Sequence, residues 1–310
     1  MRIIELFAGI GSQHQALKNI GVEHEVVAIC EYDKHADKSY RALHGNVNNL
    51  FDIRDVPKLP KADLWTYSFP CQDISVAGKQ TGFNKDKSTR SGMLWEVERL
   101  LLQAQKDGTL PKYLLLENVK NIIGERHIYA YERWTGFLAA LGYQTFSQVL
   151  NAKDYGIPQA RERVFGVSIM TNYQRYEFPP PKETELRLKD FLCTQVDESL
   201  WLTEEKVDKM LNSKFMQTRK KIKNFDDFAP TLCASDGSDP VCVRYPNGRV
   251  RKLSATEYLR LMGWKDEQIA KIKDARIPNS QQYKTAGNGI VVQCLEAIFK
   301  KLFKQGDTES

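Results

Sequence analysis

A chain of 310 residues is long enough for one large domain with a real core and a smaller second one. Its composition, 42% hydrophobic and 27% charged, is that of a soluble globular protein, and no apolar run reaches membrane-spanning length, so no membrane role is expected. The net charge of +6, from 45 Lys and Arg against 39 Asp and Glu, suits a nucleic-acid partner without requiring one.

The six cysteines, Cys30, Cys71, Cys193, Cys233, Cys242 and Cys294, form no Cys-x-x-Cys and no zinc-type cluster. With the apolar start Ile3-Ile4 broken at once by Glu5, this predicts reduced thiols in a cytoplasmic protein without a metal site.

Arg2 to Phe7 reads as a first strand. Ala8-Gly9-Ile10-Gly11 is then a tight turn, and Ser12 is expected to cap a helix that Gly21 closes. Strand, glycine turn and helix start make a unit whose backbone N–H groups can cradle a ligand, although Gly-x-Gly alone is a weak signal and His14 stands where a third fingerprint glycine would be. Glu25 to Glu31 is a second strand, and Glu31 lies where a doubly wound fold places a ribose-binding acid. Val47 to Phe51 predicts a short third strand ending in Asp52.

Asp63 to Tyr67 is a bulky, mostly apolar run that reads as a buried strand and leads into Ser68-Phe69-Pro70-Cys71-Gln72. The proline stops the sheet ladder, so Cys71 is expected at the sheet's carboxyl edge, ahead of a loop punctuated by Gly78 and Gly82. Met93 to Lys106 has helical periodicity, and Lys112 to Val119 is a continuous apolar run ending in Glu117-Asn118 at the same edge. Tyr129 to Leu141 is another helix. Phe146 to Leu150 and Val164 to Ile169 then flank Gln159, Arg161 and Arg163, which share one face if extended.

At Thr171 the βα rhythm stops, Pro179-Pro180-Pro181 marks a linker, and an irregular Lys-rich stretch runs to about Val250. Its basic cluster, Arg219, Lys220, Lys221 and Lys223, is either a solvated face or a phosphate footprint. The α/β texture then returns, with Ser254 capping a helix and Gly287-Asn288-Gly289 preceding an apolar one. The expected organisation is therefore 1–170 as a catalytic and cofactor domain, 171–250 as an inserted domain, and 251–310 as a return to the first.

These segments, in this order, resemble the DNA cytosine C5-methyltransferases of bacterial or phage restriction-modification type. Glu5 to Gly11 is similar to the family's cofactor loop, Ser68 to Gln72 to its nucleophile motif and Glu117-Asn118-Val119 to its catalytic acid. Gln159-x-Arg161-x-Arg163, Arg260 to Trp264 and Gly287-Asn288 complete the set. The departures, Ser12, Thr256 and Gly289, are few.

The resemblance implies an α/β fold with a doubly wound, mostly parallel Rossmann-like sheet and a small inserted target recognition domain. It implies methyl transfer from S-adenosyl-L-methionine to C5 of a flipped-out cytosine in double-stranded DNA, through a covalent Cys71–C6 intermediate. Cys71, Glu117, Arg161 and Arg163 would carry the chemistry. Phe7, Gly9, Gly11, Glu31, Tyr32, Asp52, Ile53, Pro70, Leu94 and Asn288 would hold the cofactor. Gln72, Gln80, Arg90, Gln159 and the cluster Arg219, Lys220, Lys221 and Lys223 would meet DNA. The implied protein is a cytoplasmic monomer, with a cognate restriction endonuclease as an optional separate companion. A related branch acts on tRNA, but its late Cys-Phe-Thr signature is missing here. A nicotinamide oxidoreductase would leave Cys71, Glu117 and the two arginines unexplained, and intact Cys71 and Glu117 argue against a catalytically silent DNA-binding relative.

Overall fold

The structure is a computed structural model that describes residues 1–70, 74, 90–170, 175–213 and 221–303. Its organising element is a six-stranded sheet of β1 (Arg2–Leu6), β2 (Glu25–Cys30), β3 (Leu64–Tyr67), β4 (Tyr113–Val119), β5 (Tyr143–Asn151) and β7 (Glu162–Met170) in the order β2-β1-β3-β4-β7-β5, with the two-residue β6 (Gln159–Ala160) outside it. The first four strands are mutually parallel, and β7 runs antiparallel between β4 and β5. This reversal brings the start of β7 to the edge where β1 to β4 end, with Arg163 opposite Val119.

Side-chain alternation along these strands feeds two hydrophobic layers. Ile3, Leu64, Leu115, Phe165 and Val167 enter one, with α1 (Ser12–Asn19) and the C-terminal helix Val292–Phe303. Ile4, Trp65, Leu114, Leu116 and Val164 enter the other, with the helices Leu94–Lys106 and Ile128–Ala140. Helices on both faces of a mostly parallel sheet leave the carboxyl ends of the strands as the open edge, where such folds bind ligands.

Val47 to Phe51 does not form the expected third strand. A single bridge, Ile29 with Asn49, is all it contributes, because Asn49 turns its side chain back on Glu31 and Phe51 takes φ +57°. Gly11, rather than Ser12, precedes α1, in a left-handed conformation with no side-chain cap. Two late helices that lacked clear sequence signals, Asp266–Asp274 and Asn279–Asn288, complete the return to the sheet.

Between them and β7 lies a small sheet of Ile222–Asn224, Cys242–Arg244 and Val250–Lys252. Val241 and Val243 belong to the same buried cluster as Ile3 and Leu295, so this stretch shares its core with the main sheet. Arg251 and Glu257, both fully buried, join the small sheet to the helix Ala255–Arg260 with a two-pronged ion pair at 2.9 and 2.7 Å.

Candidate active site

A cavity of about 570 Å³ opens at the carboxyl ends of β1 to β4. The turn after β1 forms its floor: Phe7 and Gly9 both have φ +58°, and a Cβ placed on Gly9 would meet nothing within 4 Å. Gly9 N donates to Glu31 Oε2 at 2.7 Å, and Asp33 N donates to Oε1 at 2.7 Å. Glu31 is thus fixed at the cavity wall, and burial pushes its carboxyl up to about 7.

Gly11 lies behind the cavity rather than on it. A side chain there, at φ +79°, would strike His44 Nε2 at 2.5 Å and Tyr40 at 2.7 Å. Those two rings belong to a buried cluster beneath the turn, in which His44 Nε2 donates to Ile10 O and Tyr40 Oη donates to Glu5. Burial drives His44 down to about 4 and His14 to about 3, so these two imidazoles are uncharged near neutral pH and pack with Tyr40 as a plug.

The aromatic rim is Phe7, the exposed Tyr32 and Phe51. Asp52 caps the 3₁₀ turn Ile53–Asp55 and pairs with Arg54 at 2.5 Å, a bond that holds its carboxyl below the usual range. Ile53, Pro70 and Asn288 also line the cavity. Leu94 does not: its side chain is fully buried in the core, and Met93 takes that place on the wall. Lys284, from the helix Asn279–Asn288, closes the far side through its 2.5 Å pair with Asp33.

Opposite the Glu31 end, β3 and β4 deliver the acidic centre. Ser68 donates from Oγ to Glu117 Oε2, and Arg163 Nε faces Oε1 at 3.2 Å. Glu117 is 5% exposed, so its carboxyl group is held at both oxygens in a nearly dry setting. Asn118 Nδ2 donates to Phe69 O at 3.1 Å, and Asn121 Nδ2 donates to Ile74 O at 2.6 Å. The chain is therefore anchored to the end of β4 at Phe69 and again at the buried Ile74. Cys71, Gln72 and Gln80 lie outside the described residues, as do Arg219 and Lys220. Of Arg90 only the backbone is described, opening the turn Arg90–Met93.

Two expected roles need correction, those of Gln159 and Lys221, and Arg161 has a structural part beside its expected one. Gln159 is fully buried, donating to Leu261 O at 2.8 Å and accepting from Leu232 N at 3.1 Å, so it fastens loops instead of meeting DNA. Arg161 is 3% exposed and donates to Leu232 O, Gly287 O and Gly289 O. It clamps Leu232 to the Asn288 loop, a position that also brings its buried guanidinium to the cavity edge. Lys221 is 6% exposed and pairs with Asp236 at 3.3 Å and Asp239 at 3.0 Å, so it is an internal ion pair and no phosphate contact. Lys223, two residues further on, is half-buried on the small sheet.

Sequence reasoning passed over Ser68, Phe51, Met93 and Lys284. Ser68 was within reach, since it lies one residue past β3 and the register pairing Tyr67 with Leu116 puts it level with Glu117. Nothing in the sequence marked Phe51, a bulky residue in a left-handed conformation.

Comparison with known proteins converges on one assignment. The family described as C-5 cytosine-specific DNA methylase matches residues 1–304. Type II methyltransferase M2.ScrFI of Lactococcus lactis subsp. cremoris is 32% identical, over 98% of this chain and 99% of its own. Type II methyltransferase M.HhaI of Haemophilus parahaemolyticus is 31% identical, over 96% and 93%. The fold is similar to that of the S. pombe Dnmt2 methyltransferase, with a TM-score of 0.78 at 20% identity over 99% of both chains. A match that spans the sheet, the acidic centre and the late Asn288 loop alike leaves no segment to another ancestry: the chain belongs to the C-5 cytosine-specific DNA methylase family and is a DNA cytosine-5 methyltransferase.

Proposed function

We propose that the protein transfers the methyl group of S-adenosyl-L-methionine to C5 of a cytosine flipped out of a specific double-stranded DNA sequence, through a covalent bond between Cys71 and C6. The observation that carries this reading is the shared cavity. A fixed ribose-type acid, Glu31, lies at one end, and the doubly held Glu117 lies at the other.

The residues present suit this cofactor. Glu31 offers a carboxylate to a sugar hydroxyl pair, Phe7, Tyr32 and Ile53 offer apolar surface to an adenine, and the space above Gly9 admits close approach. When bound, S-adenosyl-L-methionine supplies an electrophilic methyl group. The other residues act on the base. Cytosine C5 is a poor nucleophile, and thiolate addition at C6 by Cys71 would raise its electron density. The charge that develops on the ring is met by Glu117, giving a proton at N3, and by the Arg163 guanidinium. Loss of the C5 proton, expulsion of the thiolate and return of the N3 proton to Glu117 end the cycle. A stacked base cannot enter such a cavity, so the cytosine must leave the duplex.

Gln72, Gln80, Arg90, Arg219, Lys220 and Lys223 are the proposed DNA contacts, with 171–250 as the target recognition domain. Among the described residues no helix is long and apolar enough to cross a membrane. The protein is proposed to act as a cytoplasmic monomer, with or without a partner endonuclease. Bisulfite sequencing of DNA and tRNA from cells expressing the chain tests the whole reading. Methylated cytosines confined to one DNA sequence are expected, whereas methylation of tRNA alone would replace it with the RNA reading.

A further inference from the structure

Glu117 is held by two donors of different kinds. Arg163 reaches Oε1 from β7 and is itself steadied by Nη1 donating to Glu162 O at 2.7 Å. Ser68 reaches Oε2 from the end of β3, the same short segment that continues through Phe69 and Pro70 to Cys71. Arg163 alone would leave the carboxyl free to turn about its last torsion, since one contact to one oxygen does not define a plane. The two contacts come from neighbouring strands on opposite sides of β4, so together they fix that plane. Ser68, Glu117 and Arg163 all line the cavity, and the carboxyl positions not taken by these donors are where Glu117 can carry the proton it gives to a base.

We propose that Ser68 is a positioning residue for the methyl transfer, orienting Glu117 through its hydroxyl and tying that orientation to the segment that carries Cys71. The inference rests on the assignment of Glu117 as the group that engages the cytosine ring. In that reaction the O–H bond of the Glu117 carboxyl breaks as N3–H forms, while the thiolate's electron pair enters the ring at C6. Both events need one alignment of base, carboxyl and sulfur. Ser68 is the described residue that touches Glu117 from the nucleophile's own segment. Its hydroxyl has no other hydrogen-bond partner among the described residues.

The test compares Ser68→Ala, Ser68→Thr and Glu117→Ala with the parent in steady-state methylation of DNA, with thermal melting to verify folding. Ser68→Ala should lower kcat about ten- to a hundredfold, the cost of a misplaced catalytic group, with KM for S-adenosyl-L-methionine unchanged. Ser68→Thr, which keeps the hydroxyl, should recover most of the loss. Ser68→Ala with parental kcat, or Ser68→Thr as slow as Ser68→Ala, overturns the proposal while an inactive Glu117→Ala leaves the assignment of Glu117 intact. A fully active Glu117→Ala instead overturns that assignment, and the role of Ser68 with it.

Discussion

Glu31 gives the account a quantitative handle through proton linkage. Its carboxyl is raised to about 7 because burial disfavours the anion more than the two backbone donors, Asp33 N and Gly9 N, favour it. A ribose hydroxyl pair can donate to both carboxyl oxygens only in the ionised form, so binding favours the anion and expels the proton. The sign follows directly: affinity is full above the free-protein value and declines as pH falls through it. With a midpoint at about 7, roughly one tenth of the sites are ionised at about pH 6 and roughly nine tenths at about pH 8, so S-adenosyl-L-methionine should bind about tenfold more weakly at the lower pH. Titration calorimetry in buffers of different ionisation heat should also register close to one proton released at the lower pH and about none at the higher. Glu31→Gln removes the titrating group and should give a flat profile with weaker binding throughout. Equal affinities at both pH values in the parent, or the parental slope retained in Glu31→Gln, would refute the reasoning.

Three further outcomes follow from contacts elsewhere. Gly11→Ala should destabilise the fold by about 2–4 kcal/mol in denaturant titration, because it adds left-handed strain to the collision with His44 and Tyr40; a loss under about 1 kcal/mol would show that the plug yields. Glu257→Gln should cost about 3–5 kcal/mol, since it strips the counter-charge from a fully buried Arg251 and weakens two backbone bonds, from Cys193 N and Ser254 N; a neutral outcome would mean that the ion pair relaxes into water. Lys221→Ala and Lys223→Ala should part ways. The first should lower stability by about 3 kcal/mol with no change in the salt dependence of DNA binding, and the second should leave stability alone while reducing the slope of log K against log salt by about one. The same slope change in both would return Lys221 to the DNA surface.

The strands that build the site were legible because they are mostly apolar runs that end in chemistry. β1, β2, β3 and β4 were all found, with Glu31, Pro70 and Glu117 at one edge. What escaped was decided by pairing across long sequence separations. Gln159 and Arg161 carry the polarity of surface residues, and only their contacts with Leu232, Leu261 and Gly287 reveal them as internal fasteners. Lys221 looked like its neighbours in a basic run until Asp236 and Asp239 were brought beside it. Val47 to Phe51 had strand-like residues, but local hydrogen bonds from Asn49 took the place of a ladder. The helix Asn279–Asn288 is polar along much of its length, so periodicity could not show it.

The central claim is that Cys71 forms a bond to the target base within a cavity governed by Glu117 and the cofactor. The most direct measurement uses DNA synthesised with 5-fluorocytosine in place of cytosine, incubated with the protein and S-adenosyl-L-methionine and resolved on a denaturing gel. Fluorine cannot leave C5 as a proton does, so the parent protein should be trapped as a covalent protein–DNA adduct, only with cofactor present, and Cys71→Ala should give none. An adduct that persists in Cys71→Ala, or a parent that methylates ordinary DNA yet is never trapped, would contradict the account.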